Sequence, residues 1–275
     1  MHLPPNMTSY LETAVDIARE AGALLAHHFE RGISFDLKGE FDLVTEADRA
    51  SEALVVERLH NHFPSHSVLG EEGGLRDKTG EFCWYVDPLD GTTNFAHGYP
   101  AFNVTLALEK RGEMIAGVIY DPLHQEMFAA EMGGGAFLNG RRMRVSATKR
   151  LEEALLATGF PSRKRHENVN VHFFHQVAMS SHGVRRSGSA ALDLAYVACG
   201  RLDGFWEFGL NPWDMAAGLL LVREAGGQTT TMKGEPADIR GAHVAASNGH
   251  IHKSLIELFG EVFAGRYRYP VPGIH

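Results

Sequence analysis

Two cysteines in 275 residues are too few for a disulfide framework. Cys83 and Cys199 both lie among apolar neighbours, so ordinary core roles and a reducing compartment are expected. Long apolar runs are also missing: none approaches the ~20 residues that span a bilayer, so no membrane partner is expected. Met1-His2-Leu3-Pro4-Pro5 shows no basic segment followed by an apolar stretch, which predicts no signal peptide and a cytoplasmic protein. Basic charge is in deficit, with 26 Lys and Arg against 34 Asp and Glu and a net charge of -8, which argues against a general nucleic-acid coat. Clustered zinc-type ligands are absent too. The 16 histidines are scattered, and pairs such as His27-His28 or His172 and His175 join no carboxylate motif, so they read as surface residues.

What is present is ordinary for a globular enzyme: 44% hydrophobic and 22% charged residues, with no linker or low-complexity segment. The length is near the upper limit for one hydrophobic core, so residues 1–275 are read as one unit with halves of about 1–150 and 151–275. Ser9-Tyr10-Leu11-Glu12 has the form of a capping box, and Leu11, Ala14, Ala18, Ala21, Leu25 and Phe29 recur at helical spacing to about Glu30. Thr45-Glu46-Ala47-Asp48 opens a second helix, stopped by Pro64. Short β-type runs follow at Ser67 to Leu69, Phe82 to Val86, Phe102 to Leu108 and Met114 to Ile119, the last two joined by an Arg111-Gly112-Glu113 turn. Beyond Arg150, helices are expected over Leu151 to Leu155, Glu167 to Ser180, Ala190 to Cys199, Trp213 to Ala225 and Ile251 to Phe263. Strands are expected over Asp203 to Phe208 and Ala242 to Ala246. This order implies mixed α and β layers rather than βαβ alternation.

Three acidic places stand where packing alone would not choose an acid. Glu71 and Glu72 follow the strand Val68-Leu69-Gly70, Asp87 and Asp90 end the apolar run Trp84-Tyr85-Val86, and Asp214 lies in the first turn of an apolar helix that starts at Asn211-Pro212. Brought together, Glu71, Asp87, Asp90 and Asp214 would need cations to offset their repulsion. Oxygen donors without His or Cys suit Mg²⁺, and the Leu89 carbonyl could add a neutral ligand. The expected chemistry is phosphate-ester hydrolysis with two Mg²⁺ ions, one held by Glu71, Asp87 and Leu89, the other by Asp87, Asp90 and Asp214. Glu71 and Thr92 would orient a water and take its proton, while N–H groups of Gly91 and Thr92 hold the phosphate. Asp121-Pro122-Leu123 echoes Asp87-Pro88-Leu89 but continues His124-Gln125, and reads as a plain strand-end turn.

Asp87-Pro88-Leu89-Asp90-Gly91-Thr92-Thr93-Asn94-Phe95 and Trp213-Asp214-Met215-Ala216-Ala217-Gly218 match the two signatures of the inositol monophosphatase family of lithium-sensitive, magnesium-dependent sugar phosphatases, and Gly70-Glu71-Glu72 fits that family's upstream glutamate. The chain resembles this family over nearly its whole length. The resemblance implies an α+β fold, a layered αβαβα sandwich, usually as a homodimer. It implies the metal roles of Glu71, Asp87, Leu89, Asp90 and Asp214 and a supporting role for Asp48. Substrate contacts are expected from Leu89, Asp90, Gly91, Thr92 and Asp214, from the backbone of Gly188, Ser189 and Ala190 against the sugar ring, from Glu207 to ring hydroxyls, and from Arg185 or Arg186. From residue chemistry alone, Gly188 to Ala190 reads equally as a helix start, whereas a charge at Glu207 in an aromatic strand needs a partner.

Arg185 to Asp193 looks most like the bacterial inositol-1-monophosphatase branch, some members of which associate with the transcription machinery. A second expectation is therefore a binding module in antitermination or RNA processing, working through a protein contact because the chain is acidic. Fructose bisphosphate, phosphoadenosine phosphate and histidinol phosphate are the alternative substrates implied by the wider family. The basic stretch Ser162-Arg163-Lys164-Arg165-His166 reads as a solvated helix entrance, with contact to a second phosphate as the alternative.

Overall fold

Apolar residues at helical spacing make α1 (Ser9–Arg31), which buries Leu11, Ala14, Ala18, Ala21 and Leu25 on one face. The computed structural model describes residues 8–31, 35–39, 42–76, 80–160 and 167–271, the side chains of 35–39, 42–44, 75 and 76 excepted. Met1 to Pro5 and the basic stretch from Ser162 to His166 lie outside the described residues. After α1, β1 (Phe35–Gly39) and β2 (Asp42–Thr45) form a small antiparallel pair. Thr45 then caps α2 (Glu46–His62) in a capping box with Asp48, as its sequence predicts.

The first half continues through β3 (Ser67–Gly70), β4 (Gly74–Arg76), β5 (Phe82–Asp90), the short α3 (Thr92–Ala96), β6 (Asn103–Lys110), β7 (Glu113–Asp121), β8 (Glu126–Glu131), β9 (Gly135–Leu138) and β10 (Arg141–Arg142). These eight strands form one sheet in the order β10-β9-β8-β7-β6-β5-β3-β4. All pairs are antiparallel except β3 with β5. The expected hairpin between β6 and β7 is present, with Arg111 and Gly112 both at positive φ as a tight two-residue turn requires.

The second half comprises β11 (Leu155–Thr158), α4 (Asn170–Ser180), β12 (Gly183–Arg185), α5 (Ala190–Ala198), β13 (Gly204–Phe208), α6 (Pro212–Glu224), β14 (Gln228–Thr230), β15 (His243–Ser247) and α7 (His252–Phe263). Its five strands run β12-β11-β13-β15-β14. Helices α1 and α2 cover one face of the large sheet, against Trp84 and Val86. Helices α5 and α6 fill the layer between the sheets, against Tyr85, Ile119, Phe205 and Val244. On the outer face of the small sheet, Trp206 packs with Phe173 of α4 and Leu255, Leu258 and Phe259 of α7. Each such fully buried side chain contributes roughly 1.5–3 kcal/mol. The result is the expected α+β sandwich of αβαβα layers.

Three local expectations are corrected. Leu151–Glu153 is a single 3-10 turn, and Leu155 belongs to β11, which has a parallel partner on each side, β12 and β13. Pairing on both edges overrides a local helical pattern. Helix α4 begins at Asn170 rather than Glu167. His252 is an internal residue, held by Thr230 Oγ1 and Ser247 Oγ, each 2.9 Å away. Among the described residues, no helix is long and apolar enough to cross a membrane.

Candidate active site

In β5 the side chains alternate: Trp84 and Val86 enter the α1/α2 layer, while Tyr85 enters the α5/α6 layer. Asp87 follows Tyr85 in phase. A regular strand would then send Asp90, three residues on, to the opposite face. It does not continue regularly. Asp87 pairs with Thr105 and Asp90 with Asn103, so β5 carries one extra residue, a bulge at Pro88-Leu89. Pro88 has no N–H to lose there. The bulge brings Asp87 and Asp90 to one cavity, while Leu89 buries its side chain beneath α1 and α2. Gly91 then turns the chain into α3 at φ +93°, and a Cβ there would lie 2.8 Å from the Ala101 carbonyl oxygen.

Helix α2 supports this corner with three buried polar side chains, Asp48, Ser51 and Glu52, spaced to share a face. The single Thr92 hydroxyl proton is shared between Asp48 Oδ1 at 3.0 Å and the Leu89 carbonyl at 3.1 Å. Ser51 Oγ donates to the Pro88 carbonyl at 2.8 Å. Glu52 Oε2 accepts the Glu72 N–H at 2.8 Å, which holds the turn bearing Glu71.

The opposite wall comes from the second half of the chain. Ser189 caps α5, accepting from Leu192 N–H, and its hydroxyl donates to Asp90 Oδ2 at 2.6 Å. The same Oδ2 accepts from Asn103 Nδ2 and from the Ala191 N–H, both at 2.9 Å. Asp90 thus joins the two halves across about a hundred residues of sequence. Asn94 adds a second tie, donating to the carbonyls of Ser187 at 2.9 Å and Ala101 at 2.7 Å. Asp214, in the first turn of α6, accepts the Asn211 N–H through Oδ2 at 2.6 Å. Asp193, in the first turn of α5, accepts from Ser187 Oγ at 2.7 Å.

These elements enclose a polar cavity of about 290 Å³. Burial first, then the charges of Glu71, Asp90 and Asp214, push the Asp87 carboxyl well above its usual range. Burial also raises Asp90, against the hydrogen bonds from Ser189 and Asn103. Asp214 is pushed up to about 8 by burial and by Asp90 and Glu71. Asp193 is likewise lifted to about 8 by burial and Asp90, and Glu207 is raised by burial and by Asp193, Asp214 and Asp90, with Arg186 opposing. A cavity of acids that resist ionisation is a functional-site candidate with a stated cause.

A profile of the inositol monophosphatase family matches residues 6–263. The chain belongs to the inositol monophosphatase family. It is 46% identical to Nus factor SuhB of Pseudomonas aeruginosa, over 91% of this chain and 95% of that one, and 45% identical to the inositol-1-monophosphatase of Rhizobium meliloti, over 91% and 96%. Among solved structures, the extragenic suppressor protein suhB of Bartonella henselae superposes with a TM-score of 0.87 at 43% identity, covering 92% of this chain and 98% of that one. The reading of the sequence as a phosphoric monoester hydrolase is borne out at the level of this family.

For a member of this family the placement of the expected residues is informative. Glu71, Asp87, Leu89, Asp90, Gly91, Thr92, Gly188, Ser189, Ala190, Glu207 and Asp214 all line the one cavity. Of the two arginines between which sequence did not choose, Arg186 lines it and Arg185 is exposed on β12. Ser189 caps α5, as the helix-start reading expects, and its hydroxyl is taken up by Asp90 while Gly188 to Ala190 also line the cavity. Asp193 and Gly159, for which the sequence carried no expectation, also line the cavity. The signal for Asp193 was available, because it is an acid in the first turn of an apolar helix, the same criterion that found Asp214. Gly159 gave no local signal.

The cavity is lined by carboxylates, and the burial and mutual repulsion that raise Asp87 and Asp214 are what a hard divalent cation would relieve. Among the described residues, no three His, Cys, Asp or Glu side chains are gathered into a closed metal-binding group. The acids stand instead around a shared space, with Asp90 and Asp214 held to the walls by their hydrogen bonds. Their chemistry fits a hard divalent cation.

Proposed function

We propose that the protein is a Mg²⁺-dependent phosphomonoesterase that hydrolyses inositol monophosphate to inositol and phosphate. The observation that carries this reading is the convergence of Glu71, Asp87, Asp90, Asp214 and Thr92, from distant parts of the chain, on one cavity in a member of this family. Glu71, Asp87, Asp90 and Asp214 with the Leu89 carbonyl would hold Mg²⁺, which when bound supplies Lewis acidity toward the phosphate and acidifies water.

The chain's own groups do the rest. Thr92 shares its single hydroxyl proton between Asp48 Oδ1 and the Leu89 carbonyl, so its oxygen is left as an acceptor that orients an incoming water. Glu71 takes that water's proton as its oxygen bonds to phosphorus and the ester P–O bond breaks, and the leaving alkoxide is reprotonated from solvent. Backbone N–H groups of Gly91 and Thr92 hold phosphate oxygens. On the alcohol side, Arg186 and the backbone of Gly188 to Ala190 border the ring, and Glu207 accepts from its hydroxyls. Both halves of the chain act as one unit, since neither supplies the cavity alone. A homodimer and lithium sensitivity complete the proposal on the strength of the family resemblance, and a cytoplasmic setting on the lack of a signal-like start or long apolar run in the sequence.

The test is a panel of phosphate esters, inositol 1-phosphate with fructose bisphosphate, phosphoadenosine phosphate and histidinol phosphate, assayed with Mg²⁺ in the presence and absence of Li⁺. Preferred release of phosphate from the inositol ester, suppressed by Li⁺, is expected. No release from any ester would sink the enzymatic reading. A second role, contact with a protein of the transcription machinery, is favoured by the relative named Nus factor SuhB. Retention of such binding in Asp87→Asn would separate that role from catalysis.

A further inference from the structure

Gly159 follows β11 directly and lines the same cavity as Glu207. Strands β11 and β13 run parallel with Thr158 opposite Trp206, which sets Gly159 beside Glu207. A Cβ built on Gly159 would lie 2.1 and 2.2 Å from the two carboxylate oxygens of Glu207 and 2.3 Å from its Cδ. Gly159 is not among the residues at positive φ. Glycine is therefore required here for space and not for backbone conformation.

The backbone around this contact is held firmly. Thr158 Oγ1 donates to the Trp206 carbonyl at 2.6 Å. Asn170 Nδ2 donates to Thr158 Oγ1 at 2.9 Å and to the Gly159 carbonyl at 2.7 Å, and Asn170 Oδ1 accepts from Trp206 Nε1 at 2.7 Å. Asn170, Thr158 and Trp206 are fully buried, so this is a satisfied internal network that resists displacement. Between a clamped backbone and the end of a flexible side chain, the carboxylate is what yields, and the open space beside it is the cavity.

We propose that Gly159 is a specificity-determining positioning residue: by lacking a side chain it seats the Glu207 carboxylate in the cavity wall, where it accepts from a hydroxyl of the leaving alcohol. The inference rests on the proposed phosphatase activity and on the contact from Glu207 to a ring hydroxyl proposed with it. A buried carboxylate set to accept from a hydroxyl discriminates strongly against an ester that lacks one.

The test compares kcat/KM for inositol 1-phosphate and for p-nitrophenyl phosphate on the same Mg²⁺-loaded preparation, so that any loss of folded protein cancels in the ratio. Gly159→Ala should lower the inositol-to-nitrophenyl ratio by about tenfold, the range expected when a buried hydrogen-bonding group is left unpaired. Glu207→Ala should lower it to a similar degree. In the Glu207→Ala background, where the carboxylate is gone, Gly159→Ala should change neither the ratio nor the thermal midpoint further. An unmoved ratio in Gly159→Ala, or equal effects of that change in both backgrounds, would overturn the inference. If the unaltered protein hydrolyses neither ester, the phosphatase reading itself fails; if it hydrolyses both and the ratio stays put, only the role of Gly159 does.

Discussion

Asp87-Pro88-Leu89 and Asp121-Pro122-Leu123 are the same three residues at the ends of two strands, and locally they fold alike. In each, the aspartate is buried and its Oδ1 accepts the N–H of the leucine two positions on, at 3.1 Å in the first and 3.0 Å in the second. They part company at the next residue. Asp121 turns its other oxygen to the His124 ring nitrogen at 2.8 Å and closes a strand-end turn. Asp87 is followed by a bulge, a second acid and Gly91, and it faces Glu71, Asp90 and Asp214. One Asp-Pro-Leu turn is a piece of architecture and the other a corner of a cavity. What separates them is the company brought by other segments.

The sharpest way to break that comparison is to neutralise each aspartate. Asp87→Asn should lower kcat/KM with Mg²⁺ by about 10²- to 10³-fold, the loss typical of removing one electrostatic stabiliser of a transition state. Asp121→Asn should leave kcat/KM within about twofold and cost about 1 kcal/mol of stability in denaturant melts. Comparable losses in both variants would erase the distinction. A smaller effect is expected from the support that only the first turn receives. Glu52→Ala leaves the Glu72 N–H without its acceptor and should weaken apparent Mg²⁺ affinity about 10–100-fold, whereas Glu52→Gln keeps an acceptor oxygen and should recover most of it. Titration of activity with Mg²⁺ reads both.

The remaining effect is on stability and not on turnover. Asp193 and Asp214 bind protons up to about pH 8 in the folded state and only to the ordinary carboxylate range, near 4, when unfolded. Without divalent cation the folded chain therefore holds more protons between these limits, and its stability should fall as pH rises from about 4 toward 8. Mg²⁺ at about a hundred times its Kd should add about 2.7 kcal/mol, or some 5–10 °C in the melting midpoint, and flatten the slope. Melts in chelator at several pH values test this. Asp121→Asn should keep the slope and Asp87→Asn should reduce it.

Much of this was legible in the chain. The first helix, the Thr45 cap, the β6–β7 turn and the Asn211-Pro212 start of α6 are local events, set by periodicity, capping chemistry and turn residues within a few positions. The acids were legible because each contradicts its apolar surroundings. Strand β11 was misread, since what makes it a strand is two partners supplied by β12 and β13. The bulge was invisible for a related reason: Pro88 permits it, but only the register against Asn103 and Thr105 reveals it.

By itself the sequence determined the reaction class: the acids, hydroxyl and helix-opening glycine of Asp87 to Thr92 are written in adjacent letters, and side-chain chemistry needs no tertiary context to be identified. The tertiary structure alone decided which acids share a cavity, which arginine borders it, and that Gly159 makes room for Glu207. Those facts are distances between residues far apart in the chain, and distance is created only when the layers pack.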